Sequence, residues 1–199
     1  MPKIVDHDAR RVELSQAVWK IVGEQGMEAV TVRSVAEAAG WSVGVLSHYF
    51  PTKGSLLEFA FELEGKRVQR KLDDATRGRV GMDALRELVA ATLPLDAERI
   101  TIARIWLGYM GRAANDRRLA ESFRRRFHAW RQRIIEAIDS GITCGEISED
   151  VDRETAADAL MSFVDGTCMQ EFFEPERCSS ERQLALLEAQ LDVLRPRDA

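Results

Sequence analysis

The sequence predicts an all-α protein of about nine helices. Apolar residues recur at spacings of three and four along most of the 199 residues, which is the period of a helix with one buried face. Ser, Thr or Asp precedes many of these segments and Gly or Pro follows them, as is typical of helix starts and ends. No segment shows the strict alternation of a strand, so we expect a fold built from helices alone.

The first two helices are predicted within residues 8–39. One runs from about Asp8 to Gln25 and ends at Gly26, since glycine commonly follows the last turn of a helix. Thr31 can cap the next helix by accepting a hydrogen bond from a backbone N–H. The apolar face of this second helix is formed by Val32, Val35, Ala36 and Ala39, and Gly40 ends it.

A third short helix, which Ser42 can cap, presents two different faces. Leu46 and Phe50 lie four residues apart and are predicted to point inward, whereas Val43 falls between the faces. The outer face carries Gly44, Val45, Ser47 and His48. Such residues allow close backbone approach, contact with thymine methyl groups and hydrogen bonds to base edges or phosphates. Two short helices joined by a tight turn therefore predict a helix-turn-helix that reads DNA.

A second turn follows at Pro51, after which Thr52 can cap a fourth helix. Lys53 then lies in the first turn of that helix, where the helix end attracts anions. We expect Tyr49 and Lys53 to hold phosphates on either side of the groove helix. The alternative is that Tyr49 edges the core and Lys53 is merely solvated, but their spacing after such a motif favours contact with DNA.

Residues from about Arg10 to Leu57 resemble the DNA-binding domain of the TetR family of bacterial transcription regulators. The resemblance is carried by Gly26, Thr31, the run from Val35 to Gly40, Ser42, Gly44, Leu46, the run from His48 to Phe50, and Lys53. It implies a DNA-binding domain at 1–54 and an effector-binding and dimerisation domain at 55–199. The implied DNA contacts are Thr31, Arg33, Ser42, Gly44, Val45, Ser47, His48, Tyr49 and Lys53.

Two residues depart from the family's usual pattern. Trp41 stands where a smaller residue such as valine is usual, and its indole is expected either to pack on the helix below or to lie against the sugar-phosphate backbone. Ser47 stands where many members have tyrosine. The operator sequence is therefore left open.

Composition argues against several classes of protein. No apolar run approaches the roughly 20 residues of a membrane span, and the start lacks the apolar stretch of a signal peptide. Cys144, Cys168 and Cys178 have no metal-ligand spacing, so we expect reduced thiols, no metal and a cytoplasmic protein without a membrane partner. An enzyme is not expected, because there is no HExxH, no phosphate-binding glycine loop and no nucleophile elbow.

The net charge of -5 is unusual for a DNA-binding protein. Residues 1–56 hold six basic and six acidic groups, so the remaining 22 basic and 27 acidic groups carry the whole imbalance. Binding should therefore depend on a few placed phosphate contacts, some of them from an arm with Lys3, Arg10 and Arg11.

Five further helices follow the long fourth one, which is predicted from Lys53 to about Thr76. The first two are predicted from about Met82 to Leu93 and from about Ala97 to Ala114. The third is capped by Asn115 or Asp116 and runs to about Ser140, the fourth is capped by Asp152 and runs to about Phe173, and the last is capped by Ser179 or Ser180 and runs to about Leu194. The third of these is rich in arginine between Arg117 and Arg133. A second nucleic-acid site is one interpretation, but a solvated polar face paired with nearby acids is favoured.

The last two helices carry apolar faces that two copies of the chain could bring together in a four-helix interface. TetR-family members pair through these helices, so the resemblance favours a homodimer on an inverted-repeat operator. A monomer core is the alternative for any single residue. The residues predicted for the interface are Ala157, Leu160, Met161, Val164, Cys168, Phe172, Leu184, Leu187 and Leu191.

The stretch from Ala159 to Gln170 is similar to the C-terminal domain of the betaine-pathway branch of the family, known as BetI-type. TetR-like repressors usually respond to a small molecule, and no cofactor is expected besides this effector. A pocket for it is predicted from Phe59, Trp106, Tyr109, Phe127, Trp130, Phe163 and Asp165. Aromatic rings with a carboxylate suit a quaternary ammonium such as choline. A simple aromatic core would show the same spacing.

The function that these patterns favour is a DNA-binding repressor that a bound ligand releases by a population shift. The fourth helix would alter the distance between the two groove helices of a dimer. A transcriptional activator, an architectural DNA-binding protein or a protein-interaction module that no longer binds DNA would have the same motif.

Overall fold

The computed structural model describes residues 7–196, and within that range the chain forms nine α-helices and no strand. The prediction of an all-α fold is confirmed. The helices are α1 (His7–Gln25), α2 (Val32–Ala39), α3 (Val43–Tyr49), α4 (Lys53–Thr76), α5 (Gly81–Ala90), α6 (Ala97–Ala113), α7 (Arg117–Thr143), α8 (Arg153–Phe173) and α9 (Ser180–Asp192). Short 3-10 turns lie at Met27–Ala29 and Pro175–Arg177. None of the helices described is long and apolar enough to cross a membrane.

Two compact units divide the chain within α4, between Arg70 and Lys71. In the first unit α1 packs on α2, and α2 packs on α3. Its core contains Leu14, Val18, Val30, Val35, Ala36, Leu46, Leu56, Leu57 and Ala60, all of which are almost completely buried. This core holds the short helices α2 and α3, which would be too short to be stable on their own.

In the second unit α5 packs against α7 and α9, while α6 and α8 pack on α7. Its core includes Leu85, Leu88, Val89, Ile134, Ile138, Ile147, Leu160, Leu187 and Leu191. The Arg86 guanidinium donates two hydrogen bonds to Glu188, at 2.6 and 3.0 Å, and so joins α5 to α9. The chain thus brings its last helix back onto the first helix of the unit.

α5 begins within one residue of its predicted start, but its cap comes from residues far along the chain. The residue before it, Val80, has no side-chain acceptor. The Ser140 hydroxyl accepts from the N–H of Gly81 at 2.9 Å, and the Glu146 carboxylate accepts from that of Met82 at 2.8 Å. These acceptors satisfy N–H groups that the first turn of a helix leaves free.

α7 continues to Thr143, three residues past its predicted end at about Ser140. The Ile147 side chain packs against the bare backbone of Gly141, which is buried inside the helix. Farther along α7, Arg131 pairs with Asp158 and Arg133 with Asp73, both at 2.7 Å. For these two arginines the structure supports the interpretation of a polar face paired with acids.

Most residues predicted for a dimer interface are buried within the chain itself, as the alternative of a monomer core expects. They are Ala157, Leu160, Met161, Val164, Cys168, Leu187 and Leu191. Phe172 and Leu184 are exposed, at 51% and 41%. An apolar helical stripe shows that a face is covered, but not whether the cover comes from the same chain or from a second copy. Met169, Phe173 and Leu186 are the other large apolar residues that these two helices leave exposed.

Candidate nucleic-acid interface

Caps within the first unit set the bounds of α2. The Thr31 hydroxyl accepts from the backbone N–H of Ser34, and the Ser34 hydroxyl accepts from that of Thr31, both at 2.9 Å. At the other end Gly40 adopts a left-handed conformation with φ 69°. The N–H of Gly40 donates to Glu37 and that of Trp41 donates to Ala36, the hydrogen-bond pattern of a Schellman motif. The turn before α3 is therefore fixed by backbone geometry.

α3 presents the face that the sequence predicted. Ser42 caps it by accepting from the N–H of Val45 at 3.2 Å, and Leu46 is completely buried beneath it. The half-buried Phe50 places its ring 5.0 Å from that of Phe59. The side away from the core exposes Val43, Gly44, Val45, Ser47 and His48. Thr31 and Arg33 are exposed on α2 and its cap.

A chain of ring contacts lies beside α3. Tyr49 is 55% exposed and meets the rings of Trp41 and His48 edge-on, with centroids 6.4 and 5.6 Å away. On α1, the Arg10 guanidinium carbon lies 5.2 Å from the centroid of the Trp41 ring. The exposure of Tyr49 leaves its hydroxyl available to a phosphate, while Trp41 connects it to α1.

Lys53 is held by the chain itself. Its ammonium donates to the backbone carbonyl of Glu28 at 3.1 Å and lies 3.4 Å from the Glu28 carboxylate, which is 94% exposed. Thr52 caps α4 by accepting from the N–H of Ser55 at 3.1 Å, and the Ser55 hydroxyl accepts in return. Lys53 thus reaches from the first turn of α4 to Glu28, and the exposed Glu28 carboxylate competes with any phosphate for it.

Some contacts were not anticipated from the sequence. The reciprocal hydroxyls of Ser34 and Ser55 complete two capping boxes that the pattern of S/T-x-x-S could have indicated. The Arg10–Trp41 contact had no such signal, because it joins residues far apart in sequence. Lys3 and the side chain of Arg11, predicted to serve in a basic arm, lie outside the described residues.

Most of the residues predicted for an effector pocket belong to the second unit. The rings of Trp106, Phe123 and Phe127 cluster with centroid distances of 4.6, 5.9 and 6.4 Å. Phe123 was not among the residues predicted for the pocket. It lies four residues from Phe127, and that helical spacing could have indicated it. Tyr109 is 1% exposed, and the buried indole N–H of Trp130 has no acceptor among the described residues.

Asp165 is partly buried on α8, and this burial raises its pKa to about 6. Two ion pairs, Arg153 with Asp139 and Arg131 with Asp158, show that α7 and α8 run antiparallel. Asp165 lies about two turns beyond Asp158 on the same side of α8, level with the part of α7 that holds Phe123 and Phe127.

The two other predicted pocket residues are Phe163 on α8 and Phe59 on α4. Phe163 is half-buried and has no ring partner within the described residues. Phe59 belongs to the first unit, where it contacts Phe50.

Comparison with protein families identifies the fold. Residues 16–60 match the family of bacterial regulatory proteins named tetR, and residues 81–196 match the C-terminal domain of BetI-type transcriptional repressors. The chain belongs to the TetR family. Its helix-turn-helix is therefore that of a DNA-binding transcription regulator, not of an enzyme.

Relatives align with this TetR-family chain over most of its length. It is 27% identical to the HTH-type transcriptional regulator PksA of Bacillus subtilis, over 92% of this chain and 88% of that protein. It is 26% identical to the regulator BetI of Paraburkholderia phymatum, over 98% and 97% of the two chains.

Solved structures of other regulators share the fold of this chain. A transcriptional regulator from Rhodococcus sp. Rha1 has a TM-score of 0.82 at 27% identity, covering 92% of this chain and 95% of that one. A putative regulator from Saccharomonospora viridis, solved in complex with choline, has a TM-score of 0.89 at 19% identity, covering 96% and 100%.

Proposed function

We propose that this TetR-family regulator is a repressor that binds an inverted-repeat operator as a homodimer and is released by a small organic cation. The DNA-binding part of the proposal rests on the geometry of α3. Its buried Leu46 anchors the helix to the core, and its opposite face exposes small and polar residues. A helix of this shape fits the major groove, where Val45 would contact a thymine methyl group and Ser47 and His48 would reach base edges.

Phosphate contacts would come from the residues around this helix. Thr31, Arg33 and Ser42 lie at the start of α2 and α3, and Tyr49 and Lys53 flank the end of α3. Lys53 would exchange its contact with the Glu28 carboxylate for a phosphate oxygen. Because residues 1–56 carry no net charge, these few contacts would supply most of the affinity.

The homodimer is supported by apolar residues that the chain does not cover itself. Met169, Phe172 and Phe173 are 51%, 51% and 72% exposed near the end of α8, and Leu184 and Leu186 are exposed on α9. Exposed apolar groups of this size are typical of an interface. We propose that a second copy of the chain covers these residues, because members of this family pair in this way. A two-fold axis between the copies would present two α3 helices to the DNA.

Selection of bound fragments from genomic DNA tests the DNA-binding part. The wild-type protein should enrich fragments that share an inverted repeat, and Ser47→Ala or His48→Ala should weaken binding to that repeat. Lys20→Ala is a control, since it removes an exposed cation of α1. Enrichment of no common site would contradict the proposal. Loss of the gene should raise transcription beside the repeat, whereas an activator would give the opposite change.

For the effector we propose a quaternary ammonium of the choline type. The support is twofold: the ring cluster of Trp106, Phe123 and Phe127, and the partly buried carboxylate of Asp165 on α8, for which no ion pair is present in the described residues. Aromatic faces and a desolvated carboxylate attract such a cation. The similar fold from Saccharomonospora viridis, solved with choline, adds support from a protein that is 19% identical.

Release from DNA would be a shift between two states. A ligand shifts the equilibrium only by its difference in affinity for the two states, so the cation must bind the DNA-incompetent state more tightly. α4 belongs to both units and is the element through which we expect the change to reach α3.

Titration with choline tests the effector. Choline should raise the melting temperature of the free protein and weaken its binding to the selected repeat. Asp165→Asn should abolish both effects while keeping DNA binding, and Glu136→Gln, a change of an exposed acid on α7, should leave both intact. A wild-type protein whose melting temperature and DNA affinity ignore choline and related cations would exclude this class of ligand.

A further inference from the structure

Trp41 is held by its backbone on both sides. Its N–H donates to the carbonyl of Ala36 at 2.8 Å, which closes the end of α2. The next residue, Ser42, is fixed as the cap of α3 by its hydrogen bond with Val45. The half-buried indole therefore leaves the turn in a set direction, although the caps alone would be satisfied with a smaller residue at this position.

Side chains from two other elements meet this indole. The Arg10 guanidinium from the first turn of α1 lies over the ring, with 5.2 Å between Cζ and the ring centroid. The Tyr49 ring from the last turn of α3 meets it edge-on, with an interplanar angle of 70°. Arg10 has no carboxylate partner within the described part of the chain, unlike Lys53. Its charge is thus available beside the DNA-reading helix.

We propose that Trp41 is a positioning residue of the DNA interface, which holds the Arg10 guanidinium against its ring so that Arg10 binds a backbone phosphate next to α3. A guanidinium that stacks on an aromatic face keeps its in-plane N–H groups free, and these groups match phosphate oxygens. The same indole supports Tyr49 from the side. The proposal rests on the proposed reading of DNA by α3.

The physical gain is pre-organisation. A free arginine loses rotamer freedom when it binds phosphate, at a cost of about 0.5–1.5 kcal/mol, which corresponds to roughly 2- to 10-fold in affinity. A guanidinium already held by Trp41 loses less. In a dimer the effect enters twice, so loss of the indole should weaken binding by about 4- to 100-fold.

The experiment is a double-mutant cycle of DNA affinity over a range of salt concentrations. The probes are the duplex that the wild-type protein enriches and a duplex of the same length with scrambled sequence. Trp41→Ala and Arg10→Ala should each weaken binding to both duplexes, because a phosphate contact carries no base sequence. The double variant should bind DNA little more weakly than Arg10→Ala alone. In a dimer, Arg10→Ala should reduce the slope of log K against log salt by about 2.

Controls separate positioning from folding and from charge. Trp41→Phe keeps an aromatic face and should retain most of the affinity, and Lys20→Ala should change the affinity little. Melting curves of the free variants report whether each one folds.

Additive effects of the two changes, or a Trp41→Phe protein as weak as Trp41→Ala with an unaltered salt dependence, would overturn the role of Trp41. If the wild-type protein bound no DNA, the proposed regulator itself would fail, and that outcome is seen before any variant is made.

Discussion

Lys53 illustrates how single residues in this protein combine structural and functional roles. Its ammonium reaches both the backbone carbonyl and the carboxylate of Glu28. The carbonyl contact orients the side chain, whereas the carboxylate is a surface partner of the kind that contributes between 0 and about 1 kcal/mol. The position of Lys53 could be predicted from its place after the helix-turn-helix, but its partner could not, since Glu28 lies 25 residues away.

Glu28→Gln should strengthen DNA binding, because it removes the carboxylate that competes with phosphate for Lys53. We expect a gain of up to about fivefold per contact. The measurement is fluorescence anisotropy with the enriched duplex at low and moderate salt. Glu24→Gln, which removes an exposed charge of α1 nearby in sequence, provides the matched control. Equal gains from both variants would mean that only general repulsion was relieved.

The raised pKa of Asp165 predicts that the stability of the protein depends on pH. Its folded-state pKa of about 6 exceeds the ordinary value of 3.8, so the folded protein holds its proton more tightly than the unfolded chain does. Stability should therefore fall as pH rises through the window from about 4 to 6. Asp165→Asn should remove this part of the dependence and raise the melting temperature at pH 7.5.

Melting curves between pH 4 and 7.5 check this prediction, with Glu136→Gln as the control. A steep fall that Asp165→Asn leaves unchanged would show that other groups cause it. Choline should also bind more weakly at pH 5 than at pH 7.5, since protonation removes the carboxylate charge. The partial burial of Asp165 was not predictable from a helical pattern, because Asp165 lies at the edge of the apolar face of α8.

At the scale of helices, local signals sufficed where a cap lies next to the helix that it closes. Thr31, Ser42, Asp152 and Ser179 each accept a hydrogen bond from the first turn that follows them, at or close to the predicted starts. α5 is different because its acceptors, Ser140 and Glu146, lie 59 and 64 residues away. Only the folded second unit brings them together, so no local pattern could identify this cap.

Gly141→Ala should destabilise the second unit. An added Cβ would lie 2.5 Å from Cδ1 and 2.7 Å from Cγ1 of Ile147, a side chain that is itself buried. Overpacking of this kind costs about 1–3 kcal/mol. Gly111→Ala in α6 is the matched control, because no atom lies within 4 Å of its added Cβ and alanine favours a helix.

Chemical denaturation measures both changes. Gly111→Ala should leave the free energy of unfolding equal or higher, whereas Gly141→Ala should lower it. If the two variants were equally stable, the contact between Ile147 and Gly141 would have no energetic role.

At the scale of the whole molecule, the prediction of a homodimer depends on which apolar residues remain uncovered. Phe172→Glu should shift the protein towards monomer, because it places a charge on an exposed apolar side chain of α8 without disturbing a buried one. Val12→Glu, a similar change at 44% exposure on α1, is the control. Sedimentation over a range of concentrations distinguishes them. A dimer that survives Phe172→Glu unchanged would place the interface elsewhere.

The all-α fold and the helix α3 could be predicted from the sequence, because they depend on local caps and helical periodicity. The surface that contacts a partner could not be predicted. Leu160 and Leu187 would show the same apolar pattern whether they were buried within one chain or between two chains. The structure places Leu160 and Leu187 in the core of one chain and leaves Phe172 and Phe173 uncovered.

The central claim is that two α3 helices of one dimer read two half-sites at once. The most direct measurement compares the affinity of the wild-type protein for its enriched inverted repeat with that for the same repeat carrying five extra base pairs between the half-sites. This insertion turns one half-site by about half a helical turn, so we predict a loss of at least about 100-fold. An unchanged affinity would contradict the account.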